Sequence, residues 1–329
     1  MARLEPFRGT YYEAHRVVAD DVIAPPYDVV DASERERLAA RSPYNAIHVE
    51  LPSPPTGSDL DPYENAASIF RRWHEEGIVS IEDSPSFAVY TMTFTDDDGS
   101  ERSTTGVLGA LGLDPGRHGD VLPHEETIAR DRYDRLSLLR AARTNFSPIW
   151  VLSLADGFTA ACKHAAEGSS RRWRAVDDEG VLHEIAVVSL PDALQHITEV
   201  AAAAPVLVAD GHHRYETACA YLADGAPAGA DSVLALVVEL SEDELSVGPI
   251  HRLVGGVDGE AVGQGLQKWF EVRETPLSAT ALTEAMAANS GLGLVTAAGG
   301  FLLLPRPELV ELSEDGIDSV LVAVALDDL

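Results

Sequence analysis

Three observations predict a mixed α/β or α+β fold. Apolar residues alternate with period two in several short segments and recur at helical spacing in others. The two kinds of segment follow one another along the whole chain, and no internal repeat of about 20–50 residues is visible, which argues against solenoids and propellers. The 329 residues, 45% hydrophobic and 24% charged, suffice for two domains or one large elaborated one.

Asp31 to Arg41 reads as a short helix after the Pro25-Pro26 turn, Asn45 to Leu51 as a strand, and Pro52 to Asp61 as a loop. Tyr63 to Glu76 places Ala66, Ile69, Phe70 and Trp73 on one helical face, with Gly77 as its cap. Phe87–Thr95 and Ser103–Leu113 read as a hairpin around Asp96–Gly99. Ile128 to Arg143 has a helical pattern, and Ser147 to Leu154 that of a buried strand. Ala155 to Arg174 gives a mixed signal and is left unassigned. Next come a strand at His183–Leu190, a helix at Pro191–Ala203, a strand at Val206–Ala209, a helix at Tyr215–Leu222 and a strand at Ser232–Leu240. Gly259 to Leu329 alternates both patterns. The expected divisions are an N-terminal α+β region (1–155), a middle region (156–255) and a C-terminal α/β region (256–329).

Acidic residues outnumber basic ones by 54 to 24, a net charge of −30. A chain this negative repels phosphate backbones and anionic lipid surfaces, which disfavours general nucleic-acid or membrane binding. The acid is scattered, as a solvated surface is. Cys162 and Cys219 are too few for a disulfide framework. The N-terminal MARLEPFRGTYYEAHRV has no apolar signal core, and Val200–Ala209 is about half a membrane span and is interrupted by Pro205. A soluble cytoplasmic protein is expected.

The strongest local motif is ADGHHRYETA, Ala209 to Ala218. An apolar strand ends at Asp210-Gly211 and a helix follows, so Gly211 permits a tight turn and close approach of a ligand to the backbone. The open amides of the helix start form an anion site. His212, His213 and Arg214 add donors, and Arg214 suits bidentate phosphate binding. Asp210 suits a base, a tautomer-fixing partner or a Mg²⁺ anchor. The bland alternative is an Asx turn with solvated histidines.

A second cluster runs from His124-Glu125 to Arg132, Asp134 and Arg135, where a loop after Pro123 enters a helix. The Asp/Arg alternation alone reads as a salt-bridged face, but helix stability does not call for His124-Glu125. A zinc-protease motif would need a histidine at Ile128. In the third motif, Ile23-Ala-Pro-Pro-Tyr-Asp-Val-Val30, the prolines stiffen a turn that presents Tyr27 and Asp28. The fourth, Gly248-Pro-Ile-His-Arg252, offers His251 and Arg252 to a phosphate. P-loop, dinucleotide-fold and nucleophile-elbow signatures are missing, and no metal ligand set is assigned.

APPYDVV, the HEET…DR stretch running on to NFSPIW, and ADGHHRYETA, in this order, resemble the domain-of-unknown-function 1015 family, whose members are often labelled ParB-like. The resemblance is strong from Leu4 to Val254 and weak beyond. More loosely, the order strand, helix, strand, DGHHR, helix (186–222) is similar to the ParB/sulfiredoxin fold. That likeness implies a ParB/sulfiredoxin-like core around the DGHHR loop, elaborated by the N-terminal region. It also implies that Gly211 to Arg214 hold nucleotide phosphates, as in CTP-binding partition proteins and small-molecule serine kinases. Sulfiredoxin's cysteine is replaced here by His212, which excludes sulfinic-acid repair. The sequence offers no basic recognition helix for DNA partition.

The leading expectation is Mg²⁺- and nucleotide-dependent phosphoryl transfer to a small hydroxylated metabolite, with serine the first candidate acceptor. ATP or ADP is the expected nucleotide, with CTP as an alternative. Gly211, Arg214, Tyr27, Asp28, Arg132, His251 and Arg252 would bind the cofactor. Asp210, His212, His213, His124 and Glu125 would carry the chemistry. The rival readings are a nucleotide sensor without turnover and a metal-dependent phosphatase or hydrolase. The motifs are expected to converge, with His124, Asp28 and His212 facing one cleft.

Overall fold

The computed structural model describes residues 2–54, 61–96, 99–116, 119–122, 129–227, 229–241, 244–245, 256 and 258–312; at 129–133, 260 and 310–312 it describes the backbone alone. The described chain begins with strands β1 (Leu4–Glu5) and β2 (Thr10–Tyr12), helical turn α1 (Ala19–Val22) and a 3₁₀ turn at Tyr27–Val29 set off by the two prolines. Helix α2 (Ala32–Arg41) starts where the Asp31 carboxylate accepts from the Glu34 amide at 2.8 Å.

The strand expected at Asn45–Leu51 is instead a short helix, α3 (Ile47–Glu50). Asn45 accounts for the difference. Fully buried, it donates Nδ2 to the Asp21 and Ile23 carbonyls (2.8 and 2.9 Å), and its Oδ1 accepts from the Ile47 amide (2.9 Å). The side chain satisfies the local backbone and starts a turn rather than a ladder.

Helix α4 (Pro62–Glu75) has Pro62 in its first turn and Asp61 as its N-cap, accepting from the Tyr63 and Glu64 amides. Strand β3 (Val79–Ile81) follows, then the hairpin β4 (Phe87–Thr95) and β5 (Glu101–Gly112), paired antiparallel throughout. After β6 (Val121–Leu122), α5 (Ala129–Ala142) and β7 (Ile149–Ser153), the unassigned stretch contains α6 (Phe158–Glu167) and β8 (Arg172–Val176). Strand β9 (Leu182–Val188), α7 (Pro191–Ala201), β10 (Val206–Asp210), α8 (His212–Ala223) and β11 (Ser232–Glu239) complete the first part.

One sheet takes strands from both sides of residue 155. Its order is β6-β10-β7-β11-β5-β4-β9-β8, with β1 also paired to β5. Most pairs are antiparallel, but β10 runs parallel to β6 and β11 parallel to β7, so the architecture is mixed α/β. Alternate residues such as Ile149 and Val151 on β7 and Val206 and Val208 on β10 are buried in one cluster, shared with Phe158 and Cys162 of α6, Ile197 of α7 and Ala218 of α8. A second cluster, Val49, Trp73, Ile78 and Val79 with Phe70 and Phe146, fixes α3 and the loop before β7.

The chain divides into two compact units, Met1–Val247 and Gly248–Leu329. The second contains α9 (Gly259–Leu266), β12 (Phe270–Thr275), α10 (Ala279–Asn289), β13 (Leu292–Thr296), β14 (Gly299–Pro305) and α11 (Pro307–Leu312). Its strands pair antiparallel in the order β12-β14-β13 around Val262, Leu266, Phe270, Leu303 and Leu309. Among the described residues, no helix is long and apolar enough to cross a membrane.

Candidate functional site

The end of β10 is irregular. Its register with β7 shifts between Val208 and Asp210, a bulge of the kind that re-aims side chains at a sheet's end. Gly211 then adopts φ +89°, a left-handed conformation that favours glycine. A Cβ at this position would lie 2.9 Å from Ile149 Cγ2 and 3.0 Å from Arg214 Nε. Helix α8 starts immediately at His212, with no side-chain cap and no acidic residue in its first turn. Its positive end is therefore not countered by its own side chains.

Arg214 is 11% exposed at its side chain and occupied on two sides. Nη2 donates to Asp210 Oδ2 at 2.5 Å, and Nη1 donates to the Pro148 carbonyl. Asp210 itself is exposed, His212 is buried and His213 is half-buried.

Tyr27 connects this loop to two other motifs. The Arg135 guanidinium carbon lies 3.9 Å from the centre of its ring and that of Arg214 5.9 Å, both within cation–π range. Burial pushes the Tyr27 phenol up from its ordinary pKa, while the two guanidiniums oppose that shift. Proline-stiffened APPYDVV, helix α5, the NFSPIW segment and the DGHHR loop thus meet around one tyrosine and two arginines.

Arg135 is 6% exposed at its side chain and Glu50 8%. Arg135 Nη1 donates to the Glu50 carbonyl at 2.9 Å and lies 3.5 Å from Oε1 of the Glu50 carboxylate, which also accepts from Ser147 Oγ at 2.6 Å. Arg135 Nε donates to Asp134 Oδ2 at 2.7 Å, and Tyr63 donates its hydroxyl to Asp134 Oδ1 at 2.6 Å. Burial first, and then that acidic neighbour, raise the Tyr63 pKa to about 12. Between these groups lies a cavity of about 40 Å³ whose walls include Glu50, Arg135, Ser147, Arg214 and Thr217.

Of the residues singled out from sequence, Tyr27 and Arg214 are brought together, with Asp210 paired to Arg214. Asp28 is exposed on the 3₁₀ turn beside Tyr27, and neither it nor His212 lines the cavity. His124, Glu125, His251 and Arg252 lie outside the described residues, as does the side chain of Arg132. Among the described residues, no group of three or more His, Cys, Asp or Glu is placed to hold a metal ion. A larger open depression of about 630 Å³, walled by Glu13, Ser80, Glu82, Arg171 and Trp173, contains none of the predicted residues.

Sequence reasoning missed Glu50, Ser147 and Thr217, and read Arg135 as part of a charged face. One signal was available: Arg135 precedes Leu138 and Leu139 by three and four positions, which puts a charge on the apolar stripe of α5. Glu50 takes a polar position within the apolar alternation of Ile47, Val49 and Leu51 and has no such local mark.

A family model described as protein of unknown function (DUF1015) matches residues 4–326. No curated protein and no solved structure matches the chain.

Proposed function

The chain belongs to the DUF1015 family, and from that premise we propose that it binds a nucleotide's phosphates at Gly211–Arg214 and transfers a phosphoryl group to a small hydroxylated metabolite, serine being the first acceptor to try. The observation that carries this reading is the uncapped start of α8 behind the left-handed Gly211, with Arg214 and Arg135 packed about Tyr27. Amides at a helix start and guanidiniums are the donors that phosphate oxygens take. Phosphoryl transfer requires positioning and charge neutralisation more than a protein nucleophile. A ParB/sulfiredoxin-like arrangement around the DGHHR loop is part of the same proposal and is supported by the β10–Gly211–α8 turn.

The donor set fits a nucleotide's phosphates and offers a narrower fit to Mg²⁺. Glu50 is buried against Arg135 and Ser147, and Asp134 is bonded to Arg135 and Tyr63. The Asp210 side chain, 57% exposed, is open to a hydrated ion on the side away from Arg214. When bound, the cation would neutralise charge on the phosphates. In this reading Arg214 orients the phosphates and Asp210 anchors the ion or accepts the acceptor's proton. His213 stabilises developing charge at the half-buried rim.

The test is transfer of the γ-phosphate of ATP to L-serine and other small hydroxylated metabolites, followed by product chromatography. Arg214→Gln is expected to lower turnover by about two orders of magnitude or more, in keeping with removal of one preorganised donor. Equal turnover in a folded Arg214→Gln protein, or no phosphorylated product with any acceptor, would refute the proposal.

A further inference from the structure

We infer that Tyr90, His183 and Asp177 form a second reactive centre, in which the Tyr90 hydroxyl is a nucleophile that accepts an acyl group from an activated ester. None of the three belongs to the proposed phosphate site. The Tyr90 hydroxyl lies 2.7 Å from His183 Nδ1, and His183 Nε2 lies 3.1 Å from Asp177 Oδ2. A carboxylate only accepts, so Nε2 carries the hydrogen of the neutral imidazole and donates it to Asp177. Nδ1 is thereby left to accept from the phenol. A nucleophile bonded to a base that a third group orients is the arrangement of an activated nucleophile, and it is recognised by geometry rather than by order along the chain.

The orienting group is fixed by its own turn. Asp177 Oδ1 accepts from the Glu179 and Val181 amides, each at 2.9 Å, between β8 and β9. Asp178 is paired instead with Arg37 and Arg41, and Glu184 with Arg174. Among the described residues, Asp177 is therefore the charged partner of the imidazole. Strand register sets Tyr90 opposite Ile185 and Met92 opposite His183, so these four share one face of the sheet. All four are half-buried. Met92 and Ile185 offer apolar surface to an acyl chain. The relay has no cationic partner among the described residues, which suits a neutral acyl donor rather than a phosphoryl donor. In the step proposed, Tyr90 Oη attacks the ester's carbonyl carbon while His183 Nδ1 takes the phenol's proton. The bond from that carbon to the leaving oxygen then breaks, and the leaving oxygen takes the proton from Nδ1. The products are O-acyl-Tyr90 and the free alcohol.

The test treats the full chain with p-nitrophenyl acetate, without nucleotide, and maps the acetylated peptides by mass spectrometry. Tyr90 should be acetylated ahead of the other tyrosines in the native protein, and that preference should vanish in denaturant. Burial first, and then the Asp177 charge, hold the phenol at about 12, so unassisted attack would keep rising with pH towards that value. Attack assisted by a neutral imidazole should instead climb between about pH 5 and 8 and then level off. His183→Gln should slow acetylation at Tyr90 about a hundredfold or more. Asp177→Asn can still accept from the turn amides, but it presents an N–H to Nε2. That selects the other tautomer, and acetylation at Tyr90 should slow with loss of the plateau. Three results overturn the inference: no preference for Tyr90, a rate that follows the phenol's own ionisation, or an undiminished rate in a folded His183→Gln protein. The peptide map and the pH profile need only the parent protein, so they decide the matter even where a variant does not fold.

Discussion

Replacing Gly211 by alanine tests how the loop is built. Two costs combine at this position. Holding an L-residue at φ +89° costs about 1–2 kcal/mol. The new Cβ would also lie 2.9 Å from Ile149 Cγ2 and 3.0 Å from Arg214 Nε, and forcing extra volume into a packed site costs about 1–3 kcal/mol. The sum is about 2–5 kcal/mol. Gly225, just beyond the C-terminus of α8, provides the control: its φ is +80°, and a Cβ there meets nothing within 4 Å. Gly225→Ala should therefore show the backbone cost alone. Both variants can be followed by urea denaturation and by thermal melting of the unit that contains them. At about 2–4 °C per kcal/mol for a unit of this size, Gly211→Ala should melt about 4–20 °C below the parent. A Gly211→Ala protein no less stable than Gly225→Ala would refute the claim that backbone, Ile149 and Arg214 crowd together at this turn.

Asn45→Ala should destabilise the protein by about 3 kcal/mol or more in urea, because three buried hydrogen bonds end on that side chain; a loss under about 1 kcal/mol would contradict its role in starting α3. Burial pushes the Cys162 thiol to about 12, so at pH 8 a thiol reagent should label no more than one of the two cysteines in the native protein and both in denaturant; prompt native labelling of both would contradict the packing of α6. Burial first, and then the Asp177 charge, raise the Tyr90 phenol to about 12, which favours the folded state while the group is neutral. That contribution is complete below pH 10, the ordinary tyrosine value, and is lost as pH rises from 10 to 12. Tyr90→Phe should accordingly flatten the alkaline fall in stability, by up to about 1.4 kcal/mol per pH unit in that window. A parallel fall in the two proteins would refute this.

The elements marked by local chemistry were legible in the sequence. The helical spacing of Ala66, Ile69, Phe70 and Trp73 announced α4, and the alternation on either side of Asp96–Gly99 announced the β4–β5 hairpin. Gly211 followed by His-His-Arg announced the strand-to-helix turn. Helix α6 was hard to see because its buried face is short and mixes Phe158, Ala161 and Cys162 with the polar Thr159. The segment at Asn45–Leu51 misled because Ile47, Val49 and Leu51 alternate as a strand does, while the decisive interactions of Asn45 reach back to residues 21 and 23. The site followed the same division. The loop that ends one strand and opens one helix was readable locally. The Glu50–Arg135 pair spans 85 positions, and only the folded chain shows that these two buried charges line one small pocket with Arg214 and Thr217.

The proposed role of the Gly211–Arg214 turn is to receive a nucleotide's phosphates, and direct binding tests it most plainly. Thermal melting with ATP, ADP, CTP and GTP, each with Mg²⁺, should show one nucleotide shifting the transition in a saturable way. At about 100 times its Kd the stabilisation is about 2.7 kcal/mol, or roughly 5–10 °C, and it should vanish in Arg214→Gln. No shift with any of the four, at low and at high salt alike, would contradict that role.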